Sequence, residues 1–302
     1  MEGILANDGT DSARDSAEQK LYVGDPLLTG LIGTHIQQSR SPDMHMREAR
    51  AQGIQLSYRL FDLSERTRET DALAATLDVV EQAGFSGVNI THPFKQQVIG
   101  LLDELSDDAS RIGAVNTVLF RAGKRIGHNT DCGGFLESFE RQLHGVPVKK
   151  AVQLGAGGAG AAAAMAMLNL GCDELAIYDP ETSRARELEQ RFNSVMSKPR
   201  VRTITDLNSE LADADGLINA TPVGMDGHPG TPVAPHLLRE EMWVAEIVYF
   251  PLETQLLKDA RRLGCRTANG GQMAVFQAAR AFDLFTGRTA NRERMLADFW
   301  NV

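Results

Sequence analysis

Two groups of residues in this chain have the types and spacing that chemistry needs. The first is Gly155-Ala156-Gly157-Gly158-Ala159-Gly160, a GxGxxG string. It lies between a short apolar run, Ala151 to Leu154, and an Ala-rich stretch, Ala161 to Leu170, that stops at Gly171. Between a strand and a helix, such glycines permit a tight turn and let the backbone approach a pyrophosphate. The helix start then offers unpaired N–H donors and a partial positive charge. Asp179 ends the next apolar run, Glu174 to Tyr178. An acidic residue at about 20 residues beyond the first glycine is the partner of the adenosine ribose hydroxyls. Its charge also repels a 2′-phosphate. The string points to a dinucleotide, NAD ahead of NADP, while Arg184 and Arg186 nearby leave NADP open. A structural turn followed by a surface Asp is the plainer alternative.

The second group is a set of polar strings at the ends of apolar runs in the first half of the chain. In Ser39-Arg40-Ser41-Pro42, two hydroxyls flank one residue and can bond one polyol or carboxylate. Ser41 as the N-cap of a helix begun by Pro42 explains the same string without a ligand. In Asn89-Ile90-Thr91-His92-Pro93-Phe94-Lys95, a lysine falls near a helix start, whose pole is already positive. That setting disfavours the ammonium and suits a lysine to proton transfer. A solvated surface lysine is the alternative. Gly113-Ala114-Val115-Asn116-Thr117 and Gly127-His128-Asn129-Thr130-Asp131 complete the set. Asp131 can orient a lysine or cap a helix starting near Gly133. His128 reads as structural. Asn219-Ala220-Thr221-Pro222-Val223-Gly224-Met225 follows another apolar run, where loops line the ligand crevice of open α/β sheets or merely turn.

Elements that alternate along the chain must position these strings. Strands are expected at Leu27 to Ile32, Gln55 to Phe61 and Phe85 to Ile90. Helices are expected at Met44 to Gln52, Glu69 to Gln82 and Phe94 to Leu105, and a hairpin over Val118 to Ile126 turning at Gly123. A second unit begins near Lys149. Its strands are Ala151 to Leu154, Glu174 to Tyr178, Gly216 to Asn219 and Trp243 to Val248, with helices at Ala161 to Leu170 and Arg184 to Phe192. Two helical stretches, Met273 to Thr286 and Arg292 to Trp300, close the chain. Strand–helix alternation of this kind argues for parallel α/β structure.

Composition removes whole classes of function. The chain has 302 residues, enough for roughly two domains. Its formal net charge of −9 and absence of a basic stripe argue against a nucleic-acid partner. Any anionic ligand must be met by local donors. Cys132, Cys172 and Cys265 are odd in number and unpaired in spacing, which argues against a disulfide framework and a zinc site. No run reaches the roughly 20 apolar residues of a membrane span, and the N-terminus lacks a signal pattern. A cytoplasmic protein with reduced thiols is expected. Met1 to about Lys20 is polar without apolar period and is expected to be a mobile tail, with the ordered chain starting near Leu21.

Taken in order, SRSP, NITHPFK, GAVNT, GHNTD, GAGGAG, NATPVGM and the Gly270 to Gln277 stretch closely resemble the shikimate/quinate dehydrogenase family, from Leu27 to the C-terminus. The resemblance implies an α/β fold with an N-terminal substrate-binding domain, residues 21–126 plus about 274–302. It implies a Rossmann dinucleotide-binding domain over 127–273, with the C-terminal helices returning to the first. It implies hydride transfer between NAD(H) and a ring hydroxyl of shikimate or quinate, with Lys95 and Asp131 as the catalytic pair. Ser39, Ser41, Asn89, Thr91, Asn116, Tyr249 and Gln277 then match substrate contacts. Gly155, Gly157, Gly158, Ala159, Asp179, Arg184, Ala220, Thr221, Val248 and Gly270 match cofactor contacts. Asp179-Pro180-Glu181-Thr182-Ser183-Arg184 resembles the NAD-using branch that accepts quinate, whereas Ser41 resembles the biosynthetic branch, which often has Ser where the other has Thr. A dehydrogenase of a related ring such as aminoshikimate stays open, as does a non-catalytic sensor on the same scaffold. A homodimer is compatible with all of these.

Overall fold

The computed structural model describes residues 26–64 and 69–300. The expected tail and the expected start near Leu21 lie outside the described residues. The first half opens with β1 (Leu27–Gly33), α1 (Ser41–Ala51), β2 (Leu56–Asp62), α2 (Glu69–Gln82) and β3 (Gly87–Ile90). Here β1 pairs in parallel with both β2 and β3. Then come β4 (Glu104–Leu105), α3 (Asp107–Ile112), β5 (Thr117–Arg121) and β6 (Lys124–His128). The sheet order is β2-β1-β3-β5-β6-β4, with β3–β5 and β5–β6 antiparallel. The expected hairpin is therefore present. Its two-residue turn, Ala122-Gly123, has φ of 51° and 72°, the left-handed pair that matches strand twist.

One expected helix is absent. Phe94 to Leu105 forms a turn, one 3-10 segment at Gln97–Leu101, and β4. Asp103 N–H donates to the Arg125 carbonyl, and β4 pairs with β6. A Cβ on Gly127 would lie 2.6 Å from Leu102 and 2.8 Å from Leu105, so those leucines pack into the groove that Gly127 leaves. Sheet pairing has overridden the local helical spacing.

The second half contains α4 (Asp131–Gln142), β7 (Lys150–Leu154), α5 (Gly158–Asn169), β8 (Glu174–Tyr178), α6 (Thr182–Asn193), β9 (Val201–Thr203) and α7 (Leu207–Leu211). It continues through β10 (Gly216–Asn219), β11 (Trp243–Glu246), α8 (Gln255–Arg262) and β12 (Arg266–Ala268). All six strands are parallel, in the order β12-β11-β10-β7-β8-β9. The order reverses direction between β7 and β10, which is where open α/β sheets bind ligands. Residues Ala161 to Met167 of α5 are buried on every side. Their small side chains let this helix press between the sheet and α4.

Two last helices, α9 (Gly270–Thr286) and α10 (Arg292–Trp300), leave the second sheet and pack on α1. Phe276, Phe282 and Phe299 of these helices join Met44 and Ala49 of α1 in one core. Each such phenylalanine contributes roughly 2–3 kcal/mol by burial. Asn269 caps α9 through the Gly271 N–H, and Gly287 at φ 69° ends it. No helix among the described residues is long and apolar enough to cross a membrane.

Candidate active site

Lys95 follows β3 by five residues, in the turn that contains the cis His92–Pro93 bond. Its carbonyl accepts from Val115 N–H, which ties the NITHPFK turn to the GAVNT segment. Asp131 is the first residue of α4 and is 4% exposed. Lys95 Nζ lies 2.6 Å from Asp131 Oδ2. Asn116 Nδ2 donates to Asp131 Oδ1 at 2.9 Å and lies 3.4 Å from Gln277 Oε1 of α9. The Asn116 carbonyl oxygen on the side chain in turn accepts from Thr130 N–H. The carboxylate is thus held on both oxygens, by residues from two separate segments. Asp131 is not a side-chain cap: Asn129 Oδ1 accepts from Cys132 N–H in that role.

A polar wall continues from this pair. Asn89 Nδ2 donates to the Thr117 hydroxyl at 2.9 Å, and Tyr58 O–H donates to Asn89 Oδ1 at 2.8 Å. Ser41 is in hydrogen-bond contact with Tyr58, whose phenol is pushed well above its ordinary range by burial. Ser41 is the first residue of α1, with Arg40 at the N-cap position and no side-chain cap, so the capping expectation fails. Pro42 fixes the entry to α1 instead, and Ser39 Oγ accepts from Ser41 N–H at 3.3 Å. Thr91 sits where β3 leaves the sheet, its N–H on the Ile32 carbonyl. A Cβ on Gly33 would collide with the Thr91 methyl at 2.3 Å, so Gly33 admits Thr91 to this edge. Burial also raises the Tyr249 phenol, which feels the charges of Arg40 and Asp131.

The glycine string supplies the opposite wall. Its helix starts at Gly158, three residues earlier than the Ala-rich pattern suggests. Gly155 adopts φ 94°, and a Cβ there would lie 2.6 Å from the Ala220 carbonyl, so the NATPVGM loop presses on the turn. A Cβ on Gly157 would meet nothing within 4 Å, and the N-cap position of α5 has no side-chain cap. An open face beside uncapped helix N–H groups fits a dinucleotide pyrophosphate. Asp179 Oδ2 accepts from Ala156 N–H and Oδ1 from Glu181 N–H, both at 2.8 Å. Arg184 pairs with Glu181 at 2.8 Å on the surface and has no described bond to the glycine turn. Val248 and Gly270 meet at the same sheet edge: a Cβ on Gly270 would fall 2.5 Å from the Val248 carbonyl.

The two walls touch. A Cβ on Gly158 would lie 2.9 Å from Lys95 Cβ. The lysine stem therefore runs beside the glycine turn, and its amine ends on Asp131. Of the residues expected at the site, Lys95, Asp131, Asn116, Gln277, Asn89 and Ser41 join one hydrogen-bonded system or contact it directly, and Ser39 touches it through the Ser41 N–H. Arg184 bonds elsewhere.

Three residues of this site escape a reading of the sequence. Tyr58 looks like an ordinary apolar strand residue. Gln153 is buried in β7 and donates to the Gly155 and Gly160 carbonyls, both at 2.9 Å, bracing the glycine turn. Glu246 is a carboxylate buried at the end of β11. A polar residue inside an otherwise apolar strand was the available signal for the last two.

Comparison with known proteins agrees with this geometry. The model of the shikimate dehydrogenase substrate binding domain matches residues 31–118, and that of the shikimate 5′-dehydrogenase C-terminal domain matches 270–297. Shikimate dehydrogenase (NADP(+)) of Streptomyces avermitilis is 48% identical over 91% of this chain and 95% of its own length. Quinate/shikimate dehydrogenase (NAD(+)) of Corynebacterium efficiens is 46% identical over 92% of this chain and 99% of its own length. The structure of quinate dehydrogenase from Corynebacterium glutamicum in complex with NAD superposes with a TM-score of 0.85, at 42% identity, over 92% of this chain and all of that one. At this identity and coverage, the chain belongs to the shikimate/quinate dehydrogenase family.

Proposed function

We propose that this protein transfers a hydride between NAD(H) and the ring C3 hydroxyl or ketone of shikimate or quinate, with Lys95 and Asp131 moving and holding the proton. The observation that carries this is the Lys95 side chain, stem against Gly158 of the glycine turn and amine 2.6 Å from a buried Asp131. A group so placed faces a small acid held between the walls and a nucleotide held by the turn. In the oxidative direction the C–H bond breaks and its electron pair leaves as hydride, the neutral Lys95 amine takes the hydroxyl proton, and the C–O bond becomes a ketone, with the resulting ammonium held by Asp131. The bound nicotinamide supplies the hydride acceptor. Asp131 fixes the amine and Asn116 fixes Asp131, and Thr91, Asn116 and Gln277 meet ring hydroxyls. Ser39 and Ser41 supply hydroxyls for the carboxylate, Asn89 lies in the same pocket wall, and Tyr249 lies near the substrate. Residues 21–126 with about 274–302 form the substrate lobe, and 127–273 the nucleotide lobe, of a cytoplasmic enzyme.

NAD is favoured over NADP by the charge of the corner that follows β8. Asp179 and Glu181 contribute two negative charges there and Arg184 one positive charge, already paired with Glu181. A 2′-phosphate would meet the Asp179 carboxylate, with Arg184 already engaged by Glu181 and Arg186 the remaining positive charge nearby. The test is a steady-state comparison of shikimate and quinate, each with NAD and with NADP. Reduction of NAD by at least one of the two acids, faster than of NADP, is expected. Absence of nucleotide reduction in all four combinations would overturn the reading.

A further inference from the structure

One half of the nucleotide wall is the glycine turn with the corner after β8. The other half of that wall, the loops after β10 and β11, hangs on a carboxylate with no role yet. Glu246 ends β11 and is 2% exposed. Its Oε1 accepts from Asn219 Nδ2 and from Val248 N–H, both at 3.0 Å. Its Oε2 accepts from Asn219 Nδ2 and from the Thr254 hydroxyl, both at 3.1 Å. Thr254 is also the N-cap of α8. Asn219 passes the restraint on: its Oδ1 accepts from both Thr221 N–H and Thr221 Oγ1, and its Nδ2 also donates to the Val223 carbonyl. The β10 loop bearing Ala220 and Thr221 and the β11 loop bearing Val248 thus meet on one buried carboxyl group.

We propose that Glu246 is a positioning residue for the nicotinamide nucleotide, holding the Thr221 and Val248 loops in register through its ionised carboxylate. The proposal rests on the assignment of this sheet edge to the nucleotide. The donors decide which protonation state does the holding. An amide from β10, a peptide N–H from the following loop and a hydroxyl from α8 all point at the carboxyl, and no charged side chain among the described residues pairs with it. An ionised carboxylate accepts all of these bonds. A protonated one can keep them only by reversing the Thr254 bond, which leaves that hydroxyl without an acceptor and weakens the Asn219 contact. Burial pushes the carboxyl up to about 7. Nucleotide binding that requires the ionised form must therefore weaken as pH falls below neutrality.

The test is calorimetric titration of NADH into the full chain at about pH 8 and about pH 6. Wild-type affinity is expected to fall about ten-fold between the two, the proton-linkage limit for a group titrating near 7. In Glu246→Gln the affinity at pH 8 is expected to drop about ten-fold and to lose that pH dependence, with the melting transition still cooperative. Thr254→Val removes one donor to the charged form, so its inflection should move to higher pH. This second variant answers the question if Glu246→Gln does not fold. An E246Q protein that binds NADH as wild type does, or a T254V inflection that stays in place, overturns the proposal. A wild-type protein that binds neither NADH nor NADPH overturns instead the assignment of the site.

Discussion

Lys95 and Asp131 come from different segments, and each is held by contacts that do not involve the other. The Lys95 carbonyl is tied to Val115, and Asp131 is held by Asn116 and by the start of α4. The pair is therefore preorganised rather than assembled by ligand, which is what positioned proton transfer needs. Lys95→Ala should lower turnover by about 10²–10⁴-fold, the scale of a well-placed acid–base group. NADH affinity should remain within a few-fold of wild type. Turnover near the wild-type level in stopped-flow assays would remove Lys95 from the reaction. At the nucleotide corner, Asp179→Asn deletes the charge while keeping one acceptor. The preference for NAD over NADP, as a ratio of kcat/KM, should fall by at least about ten-fold, since one unit charge at close range is worth over 1 kcal/mol there. An unchanged ratio would place the discrimination elsewhere. The motif strings made most of these residues legible. Tyr58, Gln153 and Glu246 were not, because a buried polar residue acts through partners that are remote in sequence: Tyr58 reaches Asn89, and Gln153 braces Gly160.

At the scale of elements, legibility followed how strongly each segment's own pattern fixes its structure. The run from β7 through α5 to β8 has a buried strand, glycine punctuation and an alanine helix in agreement with one another, and only the helix start moved. The stretch from Phe94 to Leu105 has helical spacing but sheet partners, and the partners won. Short elements such as β9, β12 and α7 carry three to five residues each, too few for a period to show. The helix α8 carries a usable signal in Thr254, an N-cap residue ahead of Leu256 and Leu257. The return of α10 to α1 was implied by family resemblance, and its physical cause is local. Glu48 of α1 is fully buried and accepts from Arg294 Nε at 2.8 Å and Nη2 at 2.7 Å, and from Asn291 N–H at 2.8 Å. Arg294→Ala leaves a buried carboxylate short of its cation and should destabilise the protein by about 2–3 kcal/mol, below the full penalty because Arg294 is half-exposed. Arg294→Lys should recover less than half, because an ammonium cannot reproduce the two-pronged contact. Urea unfolding of both variants checks the order. Equal losses would mean that packing rather than the ion pair docks α10.

Across the whole molecule, two buried ionisable groups sit in different halves and pull stability in opposite directions with pH. His45 of α1 is fully buried among Tyr58, Phe282 and Phe285, with no hydrogen-bond partner on either ring nitrogen. Burial pushes it down from 6.5 to about 3. The unfolded chain takes up this proton first, so the stability of keeping His45 neutral is fully present above pH 6.5. It is lost as pH falls toward 3. Glu246 in the second half is pushed the other way, from 4.5 to about 7. Its contribution is fully present below pH 4.5 and is lost as pH rises through 7. Between 4.5 and 6.5 the two slopes oppose each other, so these groups together leave stability nearly level there. Below 4.5 the histidine slope acts unopposed, and above 6.5 the glutamate slope does. Removing one group should expose the other. In His45→Leu the free energy of unfolding should rise relative to wild type as the solution is acidified, by roughly 1.4 kcal/mol per pH unit at most. Between pH 6.5 and 4.5 that amounts to about 2–3 kcal/mol, whatever constant offset the altered packing adds. Urea unfolding of both proteins at several pH values across this window measures the difference directly. Curves that stay parallel from 6.5 to 4.5 would show that His45 is protonated in the fold, and that the aromatic cage around it opens to water.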